Sequence, residues 1–318
     1  VGGFDDPDKL SRFAEGLSAA TYEFENVPAE AVRLLESHVP VRPGISSLER
    51  SQDRALEKPL LAEAGFEVAP WRPVGSIEEL REAIESIGMP AILKTRRGGY
   101  DGKGQALIGN AADADRAWSA IESRPAVLER MLSFDRELSL VAVRSLDGHI
   151  AAYPLVENEH RQGILRVTLA PAPDLANSLQ AEAESMAAAL LESLHHVGVL
   201  TIEFFQIGDR LVANEFAPRV HNSGHWTIDG AVTSQFESHV RAVLGLPLGP
   251  TSVRTPTVML NCVGSMPDPR VVLADTRSKL HDYRKPARPG RKVGHVNVPG
   301  LAFHEAHDAA RALGIALG

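Results

Sequence analysis

Hydrophobic and polar positions along this chain change period several times, and the changes mark out its elements. Apolar residues recur at helical spacing through Asp6–Gly16, through "PAEAVRLLESH" and through "SIEELREAIESIG". The last of these opens on Ser76 with Glu79 three residues on, the pattern of a capping box. "PAEAVRLLESH" carries Pro in its first turn, where a missing N–H costs nothing. Residues 49–64, "ERSQDRALEKPLLAEA", predict one helix broken or bent near Pro59. Runs rich in β-branched and apolar residues read as strands: "AATYEFE", "PAILK", "QALIG", "AVLER", "RELSLVAVRS" and "HIAAYPLVEN". An Ala-rich helix over about 174–196 follows, then a hairpin in "TIEFFQIGDRLVANEF", then a helix, "TSQFESHVRAVLG", closing near Leu246. The rest is β-rich, with a basic Pro/Gly loop over 284–292 and no internal repeat. This order is α+β rather than a uniform βαβ alternation. The opening segment reads as the middle of an α/β domain, without the first strand and Gly-rich turn on which such a domain opens.

Composition narrows the class. A chain of 318 residues predicts two or three domains with a large core, and 44% hydrophobic with 23% charged residues is ordinary for a globular protein. The net charge of −8 argues against general attraction to nucleic-acid phosphates. The single Cys262, inside "TVMLNCVG", excludes an intrachain disulfide framework and a cysteine metal cluster. No apolar run reaches the ~20 residues that cross a bilayer, and no leader segment is evident, so a cytoplasmic protein is expected.

The hairpin carries candidate chemistry. Gly208-Asp209-Arg210 reads as a three-residue loop, and pairing Ile207 with Leu211 then sets Glu203 opposite Glu215. Two carboxylates about 5 Å apart repel by about 3 kcal/mol at an effective dielectric of 20. Solvated acids on an exposed edge would tolerate that. A Mg²⁺ ion, which takes oxygen ligands and completes its shell with water and phosphates, would neutralise it. Asn214 adds a neutral oxygen beside Glu215.

Three further stretches bear on the choice. "PAILKTRRGGYDGKGQALIG" sets Lys94 at a strand end, followed by Gly98, Gly99, Gly102 and Gly104 before a second strand. It lacks the P-loop pattern and reads as a phosphate-covering flap on a hairpin. "AVLERMLSFDRELSL" puts Glu129 at a strand end and Glu137 at the next strand's start, placed to meet an adenine amino group and ribose hydroxyls. "HDYRKPARPGRKVGHVN" gathers Arg284, Lys285, Arg288, Arg291, Lys292 and His295 in an otherwise acidic chain, either a solvated basic loop or a cluster suited to one phosphate monoester. Together they describe ATP plus a phosphorylated substrate.

"RRGGYDGKGQ", "NEFAPRVHNSGHWT", "ARPGRKVGHVN" and "TYEFENVP" resemble the 5-(carboxyamino)imidazole ribonucleotide synthase family, ATP-grasp ligases of purine synthesis, over nearly the whole chain. The resemblance implies an ATP-grasp fold: the remainder of an N-terminal Rossmann-like pre-ATP-grasp domain over 1–44, the ATP-grasp domain over 45–247 and a small β-rich domain over 248–318. It implies that ATP is held by Arg54, Lys94, Gly99, Tyr100, Asp101, Gly102, Lys103, Gly104, Gln105, Glu129, Arg130, Met131, Leu132, Glu137, His160, Asn214 and Glu215, and Mg²⁺ by Glu203 and Glu215. Aminoimidazole ribonucleotide would meet Tyr100, Asp101, Arg219, His221, Asn222 and Ser223, with Lys285, Arg288 and Arg291 at its phosphate. Lys94, Asp101 and Arg219 are the implied catalytic residues. Bicarbonate would be the co-substrate, activated as carboxyphosphate, and the chain would form a homodimer with no nucleic-acid or membrane partner. The alternatives are a formate-dependent glycinamide ribonucleotide transformylase and a non-catalytic nucleotide-binding homologue.

Overall fold

Caps and prolines set most element ends in this chain, whose computed structural model describes residues 2–99 and 104–318. The backbone divides into two units. One comprises Val1–Asp135, Met186–Val197 and Phe204–Arg219, and the other Arg136–Ser185, Gly198–Glu203 and Val220–Gly318.

In the first unit, Asp6 caps α1 (Pro7–Ala14) by accepting from Lys9 N, and α2 (Ala29–Glu36) packs with it over Tyr22, Val32, Val41 and Leu48. The expected strand "AATYEFE" is reduced to a bridge between Ala20 and Val41. Ala20 N donates to Pro40 O and Arg42 N to Ala20 O, both at 2.9 Å, and Pro40 and Pro43 have no N–H with which to extend that ladder. The bent helix expected over 49–64 is two helices, α3 (Ile45–Ser51) and α4 (Arg54–Glu63). The break falls at Asp53, whose extended backbone and side chain cap Ala55 N, while Pro59 sits inside α4. Then come β1 (Glu67–Val68), β2 (Trp71–Val74), α5 (Ile77–Ile87), β3 (Ala91–Thr95), β4 (Gln105–Ile108), α6 (Ala114–Ala120) and β5 (Ala126–Arg130). Strands β2-β5-β3-β4 form an antiparallel sheet, and Leu80, Ile84, Leu93, Ile108, Ile121 and Leu128 join it to α5 and α6 in one core. The capping box at Ser76 forms by half. Ser76 accepts from Glu79 N at 3.2 Å, but the Glu79 carboxylate takes Gly75 N at 2.6 Å instead of Ser76 N.

The second unit begins with β6 (Arg136–Arg144), β7 (Ile150–Ala152), β8 (Val156–Arg161) and β9 (Ile164–Ala170). "HIAAYPLVEN", expected as one strand, divides into β7 and β8. Pro154 offers no donor there, and Leu155 N is taken by the Gln180 side chain at 2.7 Å. Helix α7 (Asn177–Ser193) and β10 (Gly198–Ile207) follow, each divided between the residue ranges of the two units, and β11 (Arg210–Ala217) belongs to the first. Arg210 belongs to the strand, so the hairpin turn is Gly208-Asp209, two residues rather than three. The register that set Glu203 opposite Glu215 thereby loses its premise. After β11 come α8 (Thr227–Gly230) and α9 (Gln235–Leu244), the latter capped by Ser234 and closed by Gly245 at φ 70°. The chain ends through β12 (Thr257–Val263), α10 (Pro269–Val272), β13 (Lys279–Asp282), β14 (Lys292–Pro299) and α11 (Ala306–Ala312). Within this unit the sheet order is β10-β6-β8-β9-β12-β14-β13, with β7 also on β6. The β-rich ending expected after 248 carries α11 as well, whose Ala306 and Ala310 join Val258, Leu260, Val296 and Leu313 in one core. Among the described residues no helix is long and apolar enough to cross a membrane.

Leu260 is fully buried in that core. Leu260→Ala is expected to cost about 2–5 kcal/mol, read by calorimetry as a lower thermal midpoint. An unchanged midpoint would contradict the packing described.

Candidate active site

In the first unit the register of β3 on β5 sets Ile92 opposite Glu129 and Lys94 opposite Val127. Lys94 and Glu129 therefore point to the same face, one pleat apart. Lys94 Nζ lies 2.9 Å from Glu129 Oε2 and donates to Asn214 Oδ1 at 3.4 Å. A second ammonium reaches the same carboxylate from α4: Lys58 Nζ is 3.3 Å from Glu129 Oε2 and donates to Asn214 O at 2.8 Å. Burial pushes the Glu129 carboxyl up, but Lys94 and Lys58 more than reverse this and hold it at about 2. Its other oxygen, Oε1, is buried with no hydrogen-bond partner among the described residues.

Next to this set, Arg54 Nη2 lies 3.2 Å from Glu215 Oε2 and Arg54 Nη1 donates to Thr95 O at 3.3 Å. Asp53, the cap of α4, takes both Arg96 Nε (2.9 Å) and Nη2 (2.7 Å), with Arg97 Nε at 3.2 Å. Burial works against the Asp53 carboxylate, but the Arg96 fork outweighs it and its pKa falls. Glu57 is fully buried and accepts from Phe216 N at 2.7 Å. Burial, with Glu215 repulsion behind it, lifts the Glu57 carboxyl to about 8. Arg219, expected in the substrate loop, forks onto Glu25 at 2.9 and 2.7 Å. Desolvation raises the Glu25 carboxyl against that pairing.

The second unit gathers another set. His221 Nε2 lies 3.3 Å from Glu203 Oε1, and His221 Nδ1 faces Ser223 Oγ at 2.9 Å. From Ser223 a buried chain runs through Ser139 (2.7 Å) and Asn158 (2.9 Å) to Thr168 (2.9 Å). Gln235 braces the loop, accepting from His221 N at 3.0 Å and donating to His221 O at 2.7 Å. Asn222 and Asn261 exchange two amide bonds, at 3.0 and 2.7 Å. Glu137 Oε2 meets His160 Nδ1 at 2.5 Å. Burial opposes the imidazolium, but Glu137 and Glu203 together raise its pKa.

The expected residues therefore fall into groups. Arg54, Lys94, Glu129, Asn214 and Glu215 share one network, and Glu137, His160, Glu203, His221 and Ser223 stand in the other unit. Arg130 turns away to Ile87 O at 2.9 Å, and Met131 N bonds Pro90 O at 3.0 Å. Lys285 lies 5.3 Å over the Tyr283 ring, and Arg291 donates to Pro286 O at 3.4 Å, so each has a partner within its own loop. Tyr100, Asp101, Gly102 and Lys103 lie outside the described residues. Beside them, Gly104 has φ 70°, and a Cβ there would stand 2.6 Å from Thr95 Oγ1. Among the described residues no group of three or more His, Cys, Asp or Glu stands where it could hold a metal. A 260 Å³ cavity lined by Glu157, Glu159, Phe303 and His307, among others, takes in none of the expected site residues. Sequence reasoning missed Glu25, Asp53, Glu57 and Lys58. For the last two the signal was an adjacent acid and base inside the apolar run "ALEKPLL".

Residues 59–236 match the ATP-grasp domain family, 257–308 the phosphoribosylaminoimidazole carboxylase C-terminal domain, and 1–52 the ribonucleotide synthetase preATP-grasp domain. The N5-carboxyaminoimidazole ribonucleotide synthase of Pseudomonas aeruginosa is 45% identical over 295 residues, covering 93% of this chain and 81% of that protein. The Bacillus subtilis enzyme of the same name is 40% identical over 299 residues, covering 92% and 78%. The crystal structure of the Thermus thermophilus synthetase superposes with a TM-score of 0.93 at 49% identity, covering 99% of this chain and 86% of that one. The Aspergillus clavatus synthase in complex with ADP and 5-aminoimidazole ribonucleotide superposes at 0.88 with 30% identity, covering 98% and 85%.

Glu57 titrates near 4.5 when unfolded and near 8 in the fold, so the unfolded chain loses this proton first as pH rises. Its contribution to stability thus falls as pH rises through that window. Glu57→Gln carries no such proton, so its melting temperature minus that of the parent is expected to climb with pH across this range. A difference that stays flat would contradict the raised pKa.

Proposed function

This chain belongs to the N5-carboxyaminoimidazole ribonucleotide synthase family, and from that premise we propose how its residues divide the work. The reaction is the ATP- and bicarbonate-dependent carboxylation of the exocyclic amine of 5-aminoimidazole ribonucleotide, in de novo purine synthesis. A bicarbonate oxygen attacks the γ-phosphorus, ADP leaves, and the amine then attacks the carboxyl carbon of carboxyphosphate as phosphate departs. The observation that carries the assignment of roles is the Lys94 ammonium at a strand end, held between Glu129 and Asn214 beside the flap hairpin.

On this reading Lys94, Arg54 and the flap from Gly99 to Gln105 receive the ATP phosphates. Lys94 neutralises charge on the transferring phosphoryl group, and the flap excludes water that would hydrolyse the acyl phosphate. The stretch from Glu129 through Arg130 and Met131 to Leu132, with Glu137 and His160, receives adenine and ribose. Glu129 Oε1, buried without a donor among the described residues, is the kind of acceptor that a nucleotide amino or hydroxyl group satisfies. Glu203 and Glu215 supply only oxygen ligands, the donor type that suits Mg²⁺ alongside phosphates and water. When bound there, Mg²⁺ supplies further neutralisation of phosphoryl charge. His221, Asn222, Ser223 and Arg219 line the imidazole ribonucleotide, Asp101 and Tyr100 orient its amine, and Lys285, Arg288 and Arg291 receive its phosphate. The three-domain division at 44/45 and 247/248, a homodimer and a cytoplasmic location belong to the same reading.

The test is ADP release with Mg·ATP and bicarbonate, with and without aminoimidazole ribonucleotide, beside wells holding glycinamide ribonucleotide and formate. Stimulation by the imidazole alone is expected. Glu215→Gln and Lys94→Met should each lower it by about 100-fold or more. Stimulation only by glycinamide and formate would move the chain to the transformylase, and undiminished variants would overturn the assigned roles.

A further inference from the structure

Strand β1 pairs with β11 in parallel only as far as Val68 opposite Ala213. Beyond that point the edge of β11 still presents two ladder groups, Asn214 C=O and Phe216 N–H, because residues two apart in a strand point the same way. Neither is left to water. Lys58 Nζ donates to Asn214 O at 2.8 Å, and Glu57 Oε1 accepts from Phe216 N at 2.7 Å. The residue between them is Glu215, whose carboxylate meets Arg54 Nη2 at 3.2 Å. Arg54, Glu57 and Lys58 stand at i, i+3 and i+4, so one face of α4 grips three consecutive residues of β11.

Burying this pair is costly, since both side chains are almost wholly out of water. A packed apolar pair would suit helix α4 better if only the core were at stake. An apolar pair, however, would leave a buried carbonyl and a buried N–H unsatisfied on either side of Glu215. We propose that Glu57 and Lys58 are positioning residues that complete the β11 ladder where β1 stops and thereby hold Glu215 in the orientation its ligand role requires. The inference rests on the reading of Glu215 as a Mg²⁺ ligand and extends it to two residues of α4 outside that ligand pair. Lys58 also reaches Glu129 at 3.3 Å, so Glu57 is the cleaner probe of the two.

The experiment titrates Mg²⁺ into the protein with a fluorescent ADP analogue, repeats the nucleotide titration in EDTA, and records thermal melting. It compares the parent with Glu57→Leu, Glu57→Gln, Glu215→Gln and the core control Leu61→Ala. Glu57→Leu is expected to raise the Mg²⁺ concentration at half-saturation about tenfold, the worth of one buried hydrogen bond. Its affinity in EDTA should stay within about twofold of the parent, since only an orientation toward metal is lost. Glu57→Gln keeps the acceptor and should stay near the parent. Leu61→Ala should melt lower with an unmoved Mg²⁺ midpoint. Should Glu57→Leu not fold, Lys58→Met removes the bond on the other side of Glu215 and should move the same midpoint. A Glu57→Leu protein that only melts lower, a Glu57→Gln protein as impaired as it, or a Leu61→Ala protein that shifts the midpoint equally would each overturn the proposal. If Glu215→Gln leaves the midpoint in place, the metal reading fails. If it moves the midpoint and Glu57→Leu does not, the positioning role alone fails.

Discussion

One carboxylate between two ammonium groups governs the first unit of this protein. Glu129 sits on β5, out of water, with Lys94 at 2.9 Å and Lys58 at 3.3 Å on the same oxygen. Removing either cation would strand buried charge, a change that typically costs several kcal/mol. The three residues come from β5, β3 and α4, so the interaction fixes the sheet against the helix that carries Arg54. It also leaves an excess of positive charge at the strand end, which the proposed function assigns to a nucleotide phosphate.

The second unit uses neutral groups for a comparable purpose. Ser223, Ser139, Asn158 and Thr168 form a buried hydrogen-bonded chain that ends at His221, and Gln235 ties both backbone groups of His221. A loop held this way keeps its side chains in place without the desolvation cost of ion pairs. Charged side chains make up the network around Glu129, whereas amides and hydroxyls brace the loop after Pro218.

Much of this was legible in the residue order. The strand-end Lys94, Glu129 and the dense loop after Pro218 stand out in the residue order because their types are wrong for a plain core or a plain surface. The ligase family followed from the same stretches. Errors arose where local pattern met a backbone constraint it does not encode. "AATYEFE" has strand composition, but its partner segment is flanked by Pro40 and Pro43. Pro59 looked like the break in its helix, although the Asp53 cap sets it. The hairpin loop was read one residue too long, which removes the pairing argument for Glu203 and Glu215 and leaves their chemistry to stand alone. Adjacent opposite charges on a helix ordinarily mark a solvated face, and only tertiary structure shows that Glu57 and Lys58 end on a strand.

The central claim is that this charged frame serves phosphoryl transfer to bicarbonate, and an isotope test addresses it directly. With ¹⁸O-labelled bicarbonate, ATP and aminoimidazole ribonucleotide, the attacking bicarbonate oxygen stays with phosphorus when carboxyphosphate breaks down. Mass spectrometry of the released inorganic phosphate should therefore find one ¹⁸O atom per turnover. Unlabelled phosphate accompanied by carboxylated product would contradict the account, because it would mean that ATP is cleaved without activating bicarbonate.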